Sequence, residues 1–180
     1  MLLINCSNRE KNCFNILEQI KEDDDTLISL SNKDMKFCLG CENCQKELPK
    51  HCVLNDYITN TVYEEVLKAE EIVFASPMYM SNINAILKNL LDRLNAFYNH
   101  ELLKGKKIYL LMTGYASKEE NSMEIKGIID YFKGISEYLY FDFEFLDYFV
   151  DSDDPEVKKQ NDEKINEIKD RFFNKQNQTI

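Results

Sequence analysis

Hydrophobic period in this 180-residue chain switches back and forth between that of a strand and that of a helix. LLIN at 2–5 is a short apolar run, and Cys13, Phe14, Ile16, Leu17 and Ile20 then recur at helical spacing. TLISL (26–30) is a second strand candidate behind the acidic turn EDDD, and Thr61-Val62-Tyr63-Glu64 reads as a capping box opening a helix through about Lys68. EIVFASP (71–77) is continuously β-branched and aromatic, the pattern of a strand buried on both faces. Ile83, Ile86, Leu87, Leu90, Leu91 and Leu94 form the clearest helical stripe, with Ile86, Leu91 and Phe97 widening it toward a partner. KIYLLMTG (107–114) is another buried strand, and a helix with Ile125, Ile128, Ile129, Phe132 and Ile135 follows it. In FDFEF (141–145) apolar and acidic residues alternate strictly, as in an edge strand wet on one face. A last helix at about 155–173 opens with Asp153 or Asp154 as cap and Pro155 in its first turn.

Five strands alternating with helices predict a three-layer α/β domain spanning 1–180, its parallel sheet in the flavodoxin-like order 2-1-3-4-5. Ligands of such sheets bind beyond the carboxyl ends of the strands, near the switch point between the first and third. CSNREKNC (6–13), SPMYMSN (76–82) and TGYAS (113–117) are therefore the segments to read for function.

Charge and cysteine usage narrow the setting. A net charge of −10 argues against nucleic acid or an anionic membrane as partner. No run approaches the length of apolar sequence that a membrane span needs, and MLLINCSNRE lacks the pattern of a secretion signal, so a soluble cytoplasmic protein is expected. In a reducing compartment six cysteines read as free, metal-binding or redox-active. Four of them, Cys38, Cys41, Cys44 and Cys52, crowd into CLGCENCQKELPKHC (38–52).

SPMYMSNINAILKNLLDR (76–93) resembles the flavin-contacting loop and following helix of the NADPH-dependent FMN reductase-like flavoproteins, and the 38–52 loop resembles the cysteine motif of their iron-sulfur flavoprotein branch. The resemblance runs roughly from Met1 to Phe149. It implies a flavodoxin-like fold, FMN, a 4Fe-4S cluster on four closely spaced cysteines, and a homodimer or dimer of dimers in which a neighbouring subunit brings its cluster toward the flavin. Flavin-site residues carried over are Ser7, Arg9, Asn12 and Cys13 after the first strand, then Pro77, Met78, Tyr79, Ser81 and Asn82, then Thr113, Gly114 and Tyr115. No residue is required as acid or base, because hydride chemistry belongs to the flavin. The phosphate loop departs from the family pattern: Cys6 replaces a glycine, where its side chain is expected to crowd the anion, Asn8 replaces a proline, Cys13 replaces a hydroxyl, and the loop is one residue short.

The thiols can also be read on their own chemistry. Cys-x2-Cys-x2-Cys lets one tight loop, turning at Gly40, wrap three corners of a cubane and leave Cys52 for the fourth. Zinc competes, but its motifs usually pair ligands as two separated Cys-x2-Cys units. Free thiols or a redox disulfide are a third reading. His51 adjoins Cys52 as a spare ligand, and His100 is expected in an exposed loop. The function expected is FMN-dependent electron transfer or reduction, with NAD(P)H or a small electron carrier as redox partner. The alternatives are a reductase without a cluster, and a non-enzymatic metal-binding or redox-sensing domain that has lost its flavin.

Overall fold

The computed structural model describes residues 1–46 and 52–176; His51 and the last four residues lie outside the described set. The elements are β1 (Leu2–Asn5), α1 (Asn12–Ile20), β2 (Thr26–Ser29), α2 (Tyr63–Lys68), β3 (Glu71–Tyr79), β4 (Asn82–Ile83), α3 (Ala85–Leu94), β5 (Lys107–Gly114), α4 (Ser122–Leu139), β6 (Asp142–Val150) and α5 (Pro155–Gln176). The sheet runs β2-β1-β3-β5-β6, all parallel, and β4 pairs antiparallel with the end of β3. Counted without β4, this is the expected flavodoxin-like order.

Alternation along each strand divides the core between the two faces. Leu2, Ile4, Ile72, Phe74, Ile108, Leu110 and Met112 face α2, α3 and α4, whereas Leu3, Val73, Ala75, Tyr109 and Leu111 face α1 and α5. The predicted edge strand is longer than the alternating FDFEF run, because β6 carries a bulge at Leu146 where its register against β5 shifts. A bulge inserts one residue and reverses the alternation. Phe143 and Phe145 thus share a face with Tyr148 instead of opposing it. That slip carries the Tyr148 ring under the end of β5.

Four expectations are corrected. The stretch 76–82 is not a loop: β3 continues to Tyr79 and returns through a two-residue turn at Met80 and Ser81, with φ of 48° and 61°. Both values are left-handed, as a tight type I′ hairpin requires. Helical structure before α2 begins at a π-helical turn over Ile58–Val62, ahead of Thr61. The reciprocal cap is Asp56 with Thr59: each main-chain amide donates to the other's side chain at 3.1 Å. Glu64 pairs with Lys68 at i,i+4 instead. Leu91 and Phe97 are 5% and 1% exposed, so they fill the core and do not widen an interface stripe. His100 is half-buried at the end of a 3-10 turn, Asn95–His100. At the last helix Asp154 is the cap, its Oδ1 accepting from the Glu156 amide at 2.8 Å. No helix among the described residues is long and apolar enough to cross a membrane.

Candidate functional site

Beyond the carboxyl ends of β1, β3 and β5 the three segments singled out in the sequence meet in one cleft. It is lined by Ser7, Arg9, Lys11, Asn12, Cys13, Pro77, Met78, Tyr79, Thr113, Gly114, Tyr115 and Asp151. Ser81 and Asn82 stand apart from it. Ser81 is in the exposed hairpin turn, and Asn82 turns its Oδ1 to the Ile83 amide (2.8 Å). Lys11 and Asp151 had no motif to announce them. Asp151 arrives from beyond β6, placed by its amide donating to the Gly114 carbonyl at 2.7 Å.

Local chemistry shows how the cleft is held. Lys11 at the amino end of α1 makes no side-chain cap to the first amides of that helix. Cys6 is fully buried among core residues, its thiol directed at the Ile4 carbonyl, and it does not crowd the cleft. Cys13 lies 3.3 Å from the Thr113 hydroxyl across the cleft floor. Burial pushes its thiol up to about 11, so Cys13 is a neutral group there and not a nucleophile. The exposed Arg9 guanidinium lines the mouth with Tyr79 and Tyr115, and its pKa is raised, first by the Tyr79 hydroxyl and less by Tyr115. Asn84, unremarked in the sequence, ties three segments together. Its side chain caps Leu87 (3.0 Å), donates to the Cys6 carbonyl (2.5 Å) and lies 3.4 Å from the Ser76 hydroxyl. An Asn directly before a helical stripe is the signal that could have found it.

A second cavity lies elsewhere and shares no lining residue with the first. Cys38, Cys41, Cys44 and Cys52 all line it, with Leu39, Val53 and Leu54. Gly40 and Glu42, at φ of 60° and 58°, turn the chain back on itself between the cysteines. The Gly40 amide points at the Cys38 sulfur (3.5 Å), and the Gln45 side-chain amide at that of Cys44 (3.6 Å). Such N–H groups tune metal-bound thiolates. All six cysteines are free. Among the described residues no three His, Cys, Asp or Glu side chains converge closely enough to hold a single ion. The thiols instead ring a cup.

The family model for NADPH-dependent FMN reductases matches residues 1–126. An iron-sulfur flavoprotein of Archaeoglobus fulgidus is 34% identical over 99 residues, 52% of this chain and 47% of that one. One from Methanocaldococcus jannaschii is 29% identical over 106 residues, 58% and 52% of the two chains. The chain spans about half the length of the curated relatives it matches. Among solved structures, the Trp repressor binding protein of Bacillus subtilis superposes with a TM-score of 0.62 at 15% identity, covering 93% of this chain and 96% of that one. Such a likeness speaks for the fold alone.

Proposed function

Because this chain belongs to the NADPH-dependent FMN reductase family, we propose that its cleft binds FMN for a reductase or electron-transfer reaction, and that its cysteine cup holds a 4Fe-4S cluster. One observation carries the reading: ten of the residues expected at a flavin, drawn from three separate segments, line a single cleft. The amino end of α1, with Ser7, Lys11 and Asn12, suits the phosphate. Pro77 and Met78 with the ring of Tyr79 suit the flavin rim, and Thr113, Gly114 and Tyr115 form the facing wall.

When bound, FMN supplies hydride and single-electron chemistry, and a cluster passes single electrons. The chain's own residues bind and orient. Cys13, kept protonated, is a donor with no charge to repel a phosphate. Arg9, exposed at the cleft mouth with Tyr79 and Tyr115, can cover a bound ring. At the cup, Leu39, Val53 and Leu54 provide an apolar lining, and the Gly40 and Gln45 amides support thiolate sulfur. Four thiols around a cavity fit a group larger than an ion, and the relatives' names agree with that. The redox partner is NAD(P)H or a small electron carrier, and the setting is a reducing cytoplasm.

Absorption of the anaerobically purified chain tests this. Flavin bands with a broad brown shoulder are expected. Flavin bands alone would favour a reductase without a cluster, and a colourless protein carrying zinc would sink the reading. Replacing Cys38, Cys41, Cys44 or Cys52 singly by Ser should remove iron and leave flavin, whereas Cys6→Ser and Cys13→Ser should keep the iron.

A further inference from the structure

Arg93 heads the largest side chains that this fold buries completely, on a helix whose other inward residues are mostly leucines. Removing a guanidinium from water carries a large desolvation cost, so its partners matter. Its Nη1 donates to Asp56 Oδ2 (2.7 Å) and to the main-chain oxygen of Lys36 (2.8 Å), and Nη2 donates to Asp56 Oδ1 (3.2 Å). Asp56, equally buried, also accepts from the Lys36 amide at 2.8 Å. Lys36 stands just before Cys38, and Asp56 just after Cys52. One guanidinium on α3 therefore holds the entry and the exit of the cysteine segment side by side.

Smaller rungs repeat the connection. The Tyr57 amide donates to the Asp34 carbonyl (3.0 Å), and Lys36 Nζ donates to the Asn55 carbonyl (3.0 Å). Burial works to raise the Asp56 carboxyl, but hydrogen bonds from Arg93 and from the Lys36 and Thr59 amides hold it below the usual carboxylate range. Arg93 Nε is buried and has no acceptor among the described residues, so one donor of the guanidinium is not spent inside the fold. The flavin cleft shares none of these residues.

We propose that Arg93 and Asp56 form a clamp that closes the neck of the cysteine loop and positions Cys38, Cys41, Cys44 and Cys52 for a metal–thiolate centre. Both are positioning residues, and the proposal rests on the four cysteines being ligands. The clamp is built from protein groups alone, so it shapes the cup before metal enters. A lysine keeps the charge but not the planar, five-donor fork that meets both Asp56 oxygens and the Lys36 carbonyl at fixed angles.

Anaerobic reconstitution of the metal-free full chain with ferrous iron and sulfide tests the clamp without relying on activity, because a cluster and not a single ion is what the cup fits. Wild type should take up iron and sulfide and develop the broad thiolate-to-iron absorption of a cluster. Arg93→Lys should surrender its iron at about 10- to 100-fold lower concentration of a competing chelator, the usual cost of losing support around metal ligands. Removing Arg93 alone strands a buried carboxylate, so the second variant is Arg93→Met with Asp56→Leu, which leaves no charge unpaired. It should unfold cooperatively with a wild-type far-UV circular dichroism spectrum, yet show the same loss of iron retention. Wild-type iron retention in either variant would overturn the clamp while leaving the cysteines as ligands. A wild type that takes up no iron would show that the cysteines are not ligands, and the clamp would fall with them. Loss of cooperative unfolding in both variants would assign the pair to folding and also overturn the proposal.

Discussion

At Gly114 an added Cβ would sit 2.1 Å from the Tyr148 hydroxyl and 3.0 Å from the ring carbon that carries it. The Tyr148 hydroxyl is fixed, donating to the Ala116 carbonyl and accepting from the Asn121 amide. Gly114→Ala should therefore cost on the order of 1–3 kcal/mol, as overpacking does, and weaken FMN binding by displacing the Thr113–Tyr115 wall; urea unfolding and a flavin titration measure both. Adding Tyr148→Phe removes the closest contact but leaves the ring carbon and the two orphaned partners, so it should recover only part of the loss. Cys13 supplies a pH prediction. Its folded thiol is raised from 9.0 to about 11 by burial. The unfolded chain releases this proton first, so the contribution is complete below pH 9 and is lost as pH rises toward 11. Urea unfolding across that range should show a decline that is smaller in Cys13→Ser by on the order of 2–3 kcal/mol.

Between elements, Asn84 does two jobs that a pair of substitutions can separate. As cap of α3 it accepts from the Leu87 amide, and as a brace it donates to the Cys6 carbonyl. Asn84→Ala should lower stability by about 0.5–2 kcal/mol through the cap alone and also free the loop that follows β1. Asn84→Ser keeps a capping oxygen but has no amide to reach Cys6. Thermal unfolding should find the serine variant close to wild type, while its FMN affinity falls with that of the alanine variant. Equal flavin affinity in all three proteins would show that the brace does not shape the cleft.

For the whole molecule the relevant fact is that the two cavities share no lining residue, while apolar side chains stand exposed around each. Phe37 and Leu39 are 72% and 66% exposed beside the cup, Tyr115 is 78% exposed at the cleft, and Met80 is 97% exposed in the hairpin turn that follows the cleft residue Tyr79. Patches of this kind mark surfaces that a partner covers. We expect a homodimer or dimer of dimers in which these patches meet, bringing the cup of one chain toward the cleft of another. Sedimentation should show more than a monomer at micromolar concentration, and Leu39→Glu or Met80→Glu should dissociate it. A monomer with both cofactors bound would end this expectation.

Period and spacing in the sequence determined the alternation of strands and helices, the sheet order and so the three segments that meet at the cleft, because those follow from which side chains must leave water along a strand or helix; the individual cleft residues came from the family resemblance. Asp154, a cap acting on its own neighbours, was legible for the same reason. Contacts between distant segments were decided only by the tertiary structure. The Arg93–Asp56 clamp spans 37 positions and the Cys13–Thr113 contact 100, and no local pattern encodes which buried donor meets which acceptor. The bulge at Leu146 reversed an alternation that looked regular, and Leu91 and Phe97 went into the core because packing, not apolar character alone, decides which side of a stripe is covered.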